Sequence, residues 1–391
     1  MERIIFHVDV NNAFLSWEAI YRLQELGETL DLRSIPSAIG GDKKSRHGII
    51  VAKSTPAKKY GVKTAETLGE ALRKCPNLTI VPPRHDVYKE YSQKLMALLR
   101  QYSSQLEQFS IDEAFVDMTD SIPDAYENPL AFAEFLRQTV YDTLGFTVNI
   151  GVSSNKVLAK MASDFEKPNR VHSLFPHEIP SKMWGLPVRD LFLVGNATAN
   201  KLYNLGIRTI GELAAADRNI LCSHLGKHGA LIHDYANGID DSPVQAEAVD
   251  SKGYGNSTTI SHDVTNAGEA KQILLSLCES VSQRLQKDKM RAGVVAVSIK
   301  DASFHKTSHQ CTLDVATDDK NVLFEKVCIL FDECWDGSPI RLLGVSTSKV
   351  TRETIQQLNI FDHMQNEKQQ KLDAALKEIR TRFGEDAVFR F

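Results

Sequence analysis

The sequence predicts a multidomain α+β protein, and three observations carry that prediction. Up to Pro168, apolar runs of strand length alternate with helix-length amphipathic segments. After Pro168 the pattern becomes helical and is broken repeatedly by glycine. A second mixed segment, residues 256–350, follows a polar stretch from Asp240 to Gly255 that reads as a linker.

Ile4 to Val10 form a continuous apolar run and read as a buried strand. A helix follows from about Asn12, with Gly27 as its stop signal. Residues 36–75 are short-patterned and basic, with Gly40, Gly41, Lys43, Lys44, Arg46, Lys53, Lys58, Lys59 and Lys63. Leu78 to Val81 read as a strand, and Asp86 to Tyr102 as a helix. A further helix is predicted over Pro129 to Leu144, with Phe132, Phe135, Leu136 and Val140 on one face. Phe146 to Val152 read as a strand, and Asn155 to Ser163 as the next helix. The order is strand–helix–strand–strand–helix–strand, with the basic segment inserted. Residues 174–240 carry turn glycines at 195, 206, 211, 226, 229 and 238. Within 256–350 the pattern predicts a helix over Ala267 to Gln286 and a half-exposed strand through Val294, Ala296, Ser298 and Lys300. A helix near Asn321–Cys334 and a strand near Ile340–Val350 complete that segment. A charged amphipathic helix is predicted over Glu367 to Phe383.

Composition sets bounds. The 391 residues suffice for several domains and an ample core, and 42% hydrophobic with 25% charged residues is an ordinary globular balance. No apolar run approaches the roughly eighteen residues of a membrane span, and Met1-Glu2-Arg3-Ile4 lacks the shape of a signal peptide. The six scattered cysteines, with no Cys-x-x-Cys, point to reduced thiols in an intracellular, cytoplasmic protein. A net charge of −4 does not advertise nucleic acid, so any basic surface has to be local.

The chemistry concentrates in Ser110-Ile111-Asp112-Glu113-Ala114-Phe115, where two carboxylates sit inside an apolar run. Burying an unpaired carboxylate costs several kcal/mol or more, so such groups hold a cation or a partner charge. Asp9 closes another apolar run. Neighbouring side chains on a strand point to opposite faces, so Asp112 and Glu113 can share one ion only at a hairpin tip or bend. Hard carboxylate oxygens suit magnesium, and a pair of such ions stabilises in-line phosphoryl displacement.

Asp9-Val10-Asn11-Asn12-Ala13-Phe14-Leu15-Ser16-Trp17-Glu18, taken with Ser110 to Phe115, resembles the paired catalytic motifs of the Y-family translesion DNA polymerases, and most closely their bacterial DNA polymerase IV-like branch. The resemblance continues in order through Ala52-Lys53-Ser54, Lys59 to Lys63, Cys75-Pro76, Gly151 to Lys156, Ala159 to Ser163 and Lys167-Pro168-Asn169. It implies a ferredoxin-like palm (1–35 and 76–170), a small fingers insert (36–75), a helical thumb with a helix-hairpin-helix (171–240), a linker (241–255), an α/β little finger (256–350) and a tail (351–391). It further implies that Asp9, Asp112 and Glu113, with the Val10 carbonyl, hold two Mg2+ ions. A primer 3′-hydroxyl would then attack the α-phosphate of a deoxynucleoside triphosphate on primer–template DNA. Phe14 matches a gate against the sugar's 2′-hydroxyl, and Lys167 a triphosphate contact. Thr55 and Lys58 stand where many members carry tyrosine and arginine. Lys58 loses bidentate geometry and Pro56 removes a backbone donor, which leaves Lys53 and Arg46 as substitutes. Gly195 and Lys201 lie in the predicted hairpin, whose usual first glycine is Leu193, implying an altered turn. Leu225-Gly226-Lys227-His228-Gly229 is a second phosphate-gripping candidate. Lys300, Lys306, His305 and Arg291 are candidates for DNA phosphates. Gln357, Leu358, Ile360 and Phe361 match a sliding-clamp-binding peptide, and the resemblance implies a monomer. Two rival readings remain at this point: another two-metal nucleotidyltransferase or cyclase, and a non-enzymatic DNA-binding relative with a decayed site.

Overall fold

A computed structural model describes residues 3–41, 48–126, 128–247 and 250–352. The chain divides into two compact units, the first ending at residue 249 and the second starting at Asp250.

In chain order the first unit contains β1 (Ile5–Val10), α1 (Ala13–Gln24), β2 (Ser37–Gly40), β3 (Ile50–Lys53), α2 (Thr55–Lys59), α3 (Leu68–Lys74), β4 (Thr79–Val81), α4 (His85–Arg100), β5 (Leu106–Gln108) and β6 (Glu113–Asp117). It continues with α5 (Pro129–Leu144), β7 (Val148–Ser153), α6 (Lys156–Ser163), β8 (Val171–Ser173) and α7 (Ile179–Lys182). Four helices close it: α8 (Asn196–Asn204), α9 (Ile210–Ala215), α10 (Arg218–Leu225) and α11 (Lys227–Ala236). The main sheet has the order β5-β6-β1-β7-β8, so β1 lies between two antiparallel partners and every one of its residues is buried. Its core gathers Phe6, Val8, Trp17, Tyr88, Leu95, Phe132 and Phe146.

Helix ends follow their local chemistry. Asn128 caps α5 by accepting from the Ala131 N–H, Pro129 starts the helix, and Gly145 at φ 77° ends it. Asn155 caps α6 by accepting from the Leu158 N–H. Phe135 departs from the predicted α5 face: it is 39% exposed, and Ala133 is buried in its place. Phe132, Leu136 and Val140 define the centre of the stripe and Phe135 lies on its rim, against Tyr102 and Tyr126.

The basic insert holds two strands that its composition does not suggest, β2 and β3, which pair with β4, from just beyond the insert, in a separate sheet ordered β3-β2-β4. The polar stretch after Asp240 is tied down at both ends. Val244 is buried and the Gln245 N–H donates to Glu107, while Tyr254, also buried, exchanges backbone hydrogen bonds with Thr347.

The second unit comprises β9 (Gly255–Val264), α12 (Ala267–Lys287), β10 (Arg291–Asp301), β11 (Lys306–Thr317), α13 (Lys320–Cys334) and β12 (Ile340–Thr351), with sheet order β11-β10-β12-β9. The two edge strands, β9 and β11, escape prediction because polar residues dominate both, and the apolar alternation of β11 is confined to Cys311, Leu313 and Val315. Among the described residues no helix is long and apolar enough to cross a membrane.

One close approach fixes where α6 lies. A Cβ on Gly151 of β7 would stand 2.0 Å from the Ala159 carbonyl oxygen and 2.4 Å from the Ser163 nitrogen, both backbone atoms of α6. No side-chain rotation relieves such a contact. Gly151→Ala is therefore expected to cost about 3 kcal/mol of folding stability, and thermal denaturation at parental stability would contradict this packing.

Candidate active site

Asp9 and Glu113 face each other as register partners on β1 and β6, with Asn149 of β7 on the other side of Asp9. Asp112 occupies the bend of the β5–β6 hairpin, where the Phe109 and Ser110 N–H groups both donate to the Glu113 carbonyl. The Asp112 carbonyl accepts from the Val10 N–H at 3.1 Å, and its carboxylate accepts from the Ser110 hydroxyl at 2.7 Å. The β6–β1 pairing thus brings together acids more than a hundred residues apart in sequence.

Two lysines supply the counter-charge. Lys160 Nζ, buried on α6, lies 3.0 Å from Glu113 Oε1, 3.5 Å from Asp9 Oδ2 and 3.2 Å from Asp164 Oδ2. Lys167 Nζ lies 2.8 Å from both Asp9 Oδ2 and Asp164 Oδ1. Burial drives the Asp9 carboxyl up to about 6, against the opposing pull of Lys167 and Lys160. Burial also raises Glu113, but His7 and Lys160 outweigh it and hold that carboxyl down at about 2. His7 is fully buried and its own desolvation lowers it to about 4, which keeps it neutral. Its Nδ1 pairs with the Ser163 hydroxyl at 2.8 Å. Its Nε2 lies 3.8 Å from Glu113 Oε2, beyond an ordinary hydrogen bond but close enough to favour that carboxylate's charge electrostatically, and it makes no other hydrogen bond.

The turn that carries Lys167 is fixed by an amide. Asn149 Oδ1 accepts from Asn11 Nδ2 (3.1 Å) and from the Arg170 N–H (3.2 Å), while its Nδ2 donates to the Ser163 and Glu166 carbonyls (3.1 and 2.9 Å). Asn11 Oδ1 in turn accepts from the Asn169 N–H at 2.8 Å. Sequence reasoning missed Lys160, Asp164, Asn149 and His7 as site residues. The available signals were charged residues spaced four and three apart at positions 160, 164 and 167, and polar residues inside apolar strands.

A cavity of about 230 Å3 is lined by Asn12, Ala13, Phe14, Val51, Ala52, Lys53, Thr64 and Asp112. It joins the start of α1, the insert strand β3 and the acidic hairpin. Phe14 is half-buried, so it is both a core residue and a cavity wall. Thr55 and Lys58 are exposed on α2 and do not line the cavity. Pro56 falls in the first turn of α2, where its missing N–H removes no helical bond. Lys53 does line the cavity, and burial followed by the charge of Lys58 lowers its pKa. Arg46 lies outside the described residues, as do Gln357, Leu358, Ile360, Phe361 and the tail helix predicted after Glu367.

The donor chemistry fits a hard divalent cation, since two carboxylates converge from adjacent strands. Among the described residues no three His, Cys, Asp or Glu side chains are gathered around one point. The Asp112 carboxylate engages Ser110 instead, and the lysines neutralise the other two acids.

Elsewhere in the first unit, Gly195 caps α8 without a side chain, so the first N–H groups of that helix carry no side-chain cap, and Lys201 is exposed on the same helix. Leu193 adopts φ 68°. This is the left-handed backbone conformation that glycine adopts most readily. Gly226 joins α10 to α11 at φ 63°, ψ −145°, and a Cβ on Gly229 would lie 2.3 Å from the Leu221 carbonyl oxygen. In the second unit Lys306 is exposed beside a surface cavity of about 410 Å3 with Ser257, Ser298, Gly344 and Ser346. Lys300 and Arg341 flank the Phe304 ring, 5.6 and 4.8 Å from its centroid.

Comparison with known proteins places this geometry. A family model described as the impB/mucB/samB family matches residues 8–164, and the model of that family's C-terminal domain matches residues 251–360. The chain belongs to the impB/mucB/samB family. Curated relatives are named DNA polymerase IV: one from Clostridium acetobutylicum is 42% identical over 390 residues, covering 100% of this chain and 98% of the relative. Another from Acetivibrio thermocellus is 36% identical, covering 100% and 97%. DNA polymerase IV 1 of Bacillus subtilis is 36% identical, covering 98% and 91%. Among solved structures, a Y-family DNA polymerase chimera of Dbh and Dpo4 superposes with a TM-score of 0.78 over 90% of this chain and 100% of the chimera, at 22% identity, so that likeness speaks to fold.

Two predictions follow from the charges and the hairpin. The folded chain holds the Asp9 proton more tightly than the unfolded chain, so this group's contribution is full below about 3.8 and is lost as pH rises through about 6. In metal-free buffer Asp9→Asn is expected to be more stable than the parent by about 3 kcal/mol at pH 7 and no more stable at pH 3.5. Urea denaturation at the two pH values measures this, and equal stability at pH 7 refutes it. Leu193→Gly, which relieves a left-handed residue whose side chain is exposed, is expected to add about 1 kcal/mol. A lowered melting temperature would show instead that the leucine's contacts dominate.

Proposed function

We propose that this chain is a template-directed DNA polymerase of the translesion type, extending a primer 3′ end with deoxynucleoside triphosphates. The observation that carries the reading is the Asp9–Glu113 pair on adjacent strands, with Asp112 beside it in a bend that shares a cavity with Phe14. Full-length similarity to proteins named DNA polymerase IV supports the same reading.

Asp9, Asp112, Glu113 and the Val10 carbonyl would hold two Mg2+ ions, which lower the cost of charge on the attacking and leaving oxygens when bound. In the reaction the primer 3′-hydroxyl gives up its proton to solvent, its oxygen bonds to the α-phosphorus, the bond from that phosphorus to the bridging oxygen breaks, and pyrophosphate leaves. Lys167, and Lys53 with Lys58, bring positive charge to the triphosphate. Thr55, at the start of α2, is placed near that group only by family position. Phe14 excludes the 2′-hydroxyl by a clash, since an apolar wall alone rejects a hydroxyl poorly.

DNA would be held without sequence readout. The uncapped start of α8 at Gly195, with Lys201, suits a phosphate, and Lys300 and Lys306 suit others. Gln357, Leu358, Ile360 and Phe361 would tether the enzyme to a sliding clamp and raise its local concentration on DNA. The reading includes the domain assignment stated for the resemblance, and action as a monomer in the cytoplasm.

A magnesium-dependent primer-extension assay tests it. Asp112→Ala is expected to lose extension by about 10³-fold or more, with DNA binding by fluorescence anisotropy retained. Undiminished extension in that variant removes the site assignment, and no template-dependent extension by the parent removes the function.

A further inference from the structure

Behind Phe14 lies a device that the proposed chemistry does not use. The Phe14 ring stacks on Tyr88 of α4, with centroids 4.8 Å apart and planes 17° apart. Tyr88 is fully buried, and its hydroxyl donates to Glu18 Oε2 at 3.1 Å. Glu18 lies one helical turn beyond Phe14 on α1 and is also fully buried. Its other oxygen takes Arg22 Nε at 2.7 Å and lies 3.4 Å from Arg84 Nε. Arg22 is braced by Glu28, and Arg84 lies over the Tyr21 ring.

Helix packing alone does not call for this arrangement. A buried ion pair is about as stabilising as apolar residues of the same volume, or less so, because both charges must be desolvated. What a charged, directional bond adds is orientation. A phenolic oxygen held by a carboxylate, itself held by two guanidinium groups, fixes the plane of the ring against which Phe14 rests.

The geometry points to Tyr88, tethered by Glu18, as the positioning residue that holds Phe14 against the sugar and so sets discrimination between ribo- and deoxyribonucleotides. The inference rests on the reading of Phe14 as the gate. A gate that works by clash loses its effect once its ring can tilt away by a fraction of an ångström to an ångström, while a deoxyribose passes either way. Tyr88 touches no reacting atom in this account and acts only through Phe14.

The test compares kcat/KM for a deoxynucleotide and its ribonucleotide opposite the same template base. The variants are Tyr88→Phe, which removes only the hydroxyl, Tyr88→Leu, which removes the flat face, and Phe14→Ala. Discrimination is expected to fall about fivefold in Tyr88→Phe and about twentyfold in Tyr88→Leu, with a smaller loss of deoxynucleotide efficiency in each. A merely structural role would depress both nucleotides alike and leave the ratio where it was. A ratio in Tyr88→Phe within about twofold of the parent, while Phe14→Ala loses discrimination, overturns the inference, and this variant decides the matter if Tyr88→Leu fails to fold. If Phe14→Ala itself discriminates like the parent, the gate reading falls, and the tether with it.

Discussion

The structure turns on two like charges held side by side in the middle of a sheet. Asp9 and Glu113 are cross-strand partners, and β1 is buried along its whole length. Two unit charges about 4 Å apart at an effective dielectric near 20 repel by about 4 kcal/mol, which is comparable to a sizeable share of a domain's net stability. The fold answers with Lys160 and Lys167, placed by one helix and the turn that follows it. The position of α6 is therefore an electrostatic requirement as well as a packing one. The absence of a side chain at Gly151 is what lets that helix come close enough to meet it.

The same arrangement explains why the two acids behave differently. Both are penalised by burial, but Glu113 has His7 and Lys160 in favour of its charge and stays ionised, whereas Asp9 is deeper and its lysines do not fully offset the penalty. A site that holds its acids at unequal protonation affinity, with ammonium groups as internal counter-ions, balances its charge within the fold. In the unassisted fold it is locally costly, as expected where residues serve chemistry before stability.

How much was legible in the sequence depended on whether the local signal and the tertiary role agreed. The α5 span was readable because Pro129 and Gly145 bracket it. β1 and β7 were readable as apolar runs. β9 and β11 were not, because polar residues fill most of each strand and leave only a few apolar positions. The acids stood out for being charged within apolar runs. Lys160 looked like an ordinary helix-surface residue, and only the packing of α6 onto β1 and β7 makes it a buried ammonium. Asn149 carried the same signal as the acids, a polar residue in a strand core, but a neutral amide draws less notice than a carboxylate. At Leu193 residue identity gave no sign of the left-handed backbone that the surrounding chain imposes.

Asn149 has a consequence of its own. Its oxygen accepts twice and its nitrogen donates twice, so every hydrogen-bonding position of the amide is committed. Neither a larger amide nor an isosteric acid can reproduce that set. The turn bearing Lys167 consequently inherits the rigidity of the central sheet. Whatever anion that ammonium meets, the entropy of ordering the loop is lost once, during folding, rather than again with each molecule that arrives.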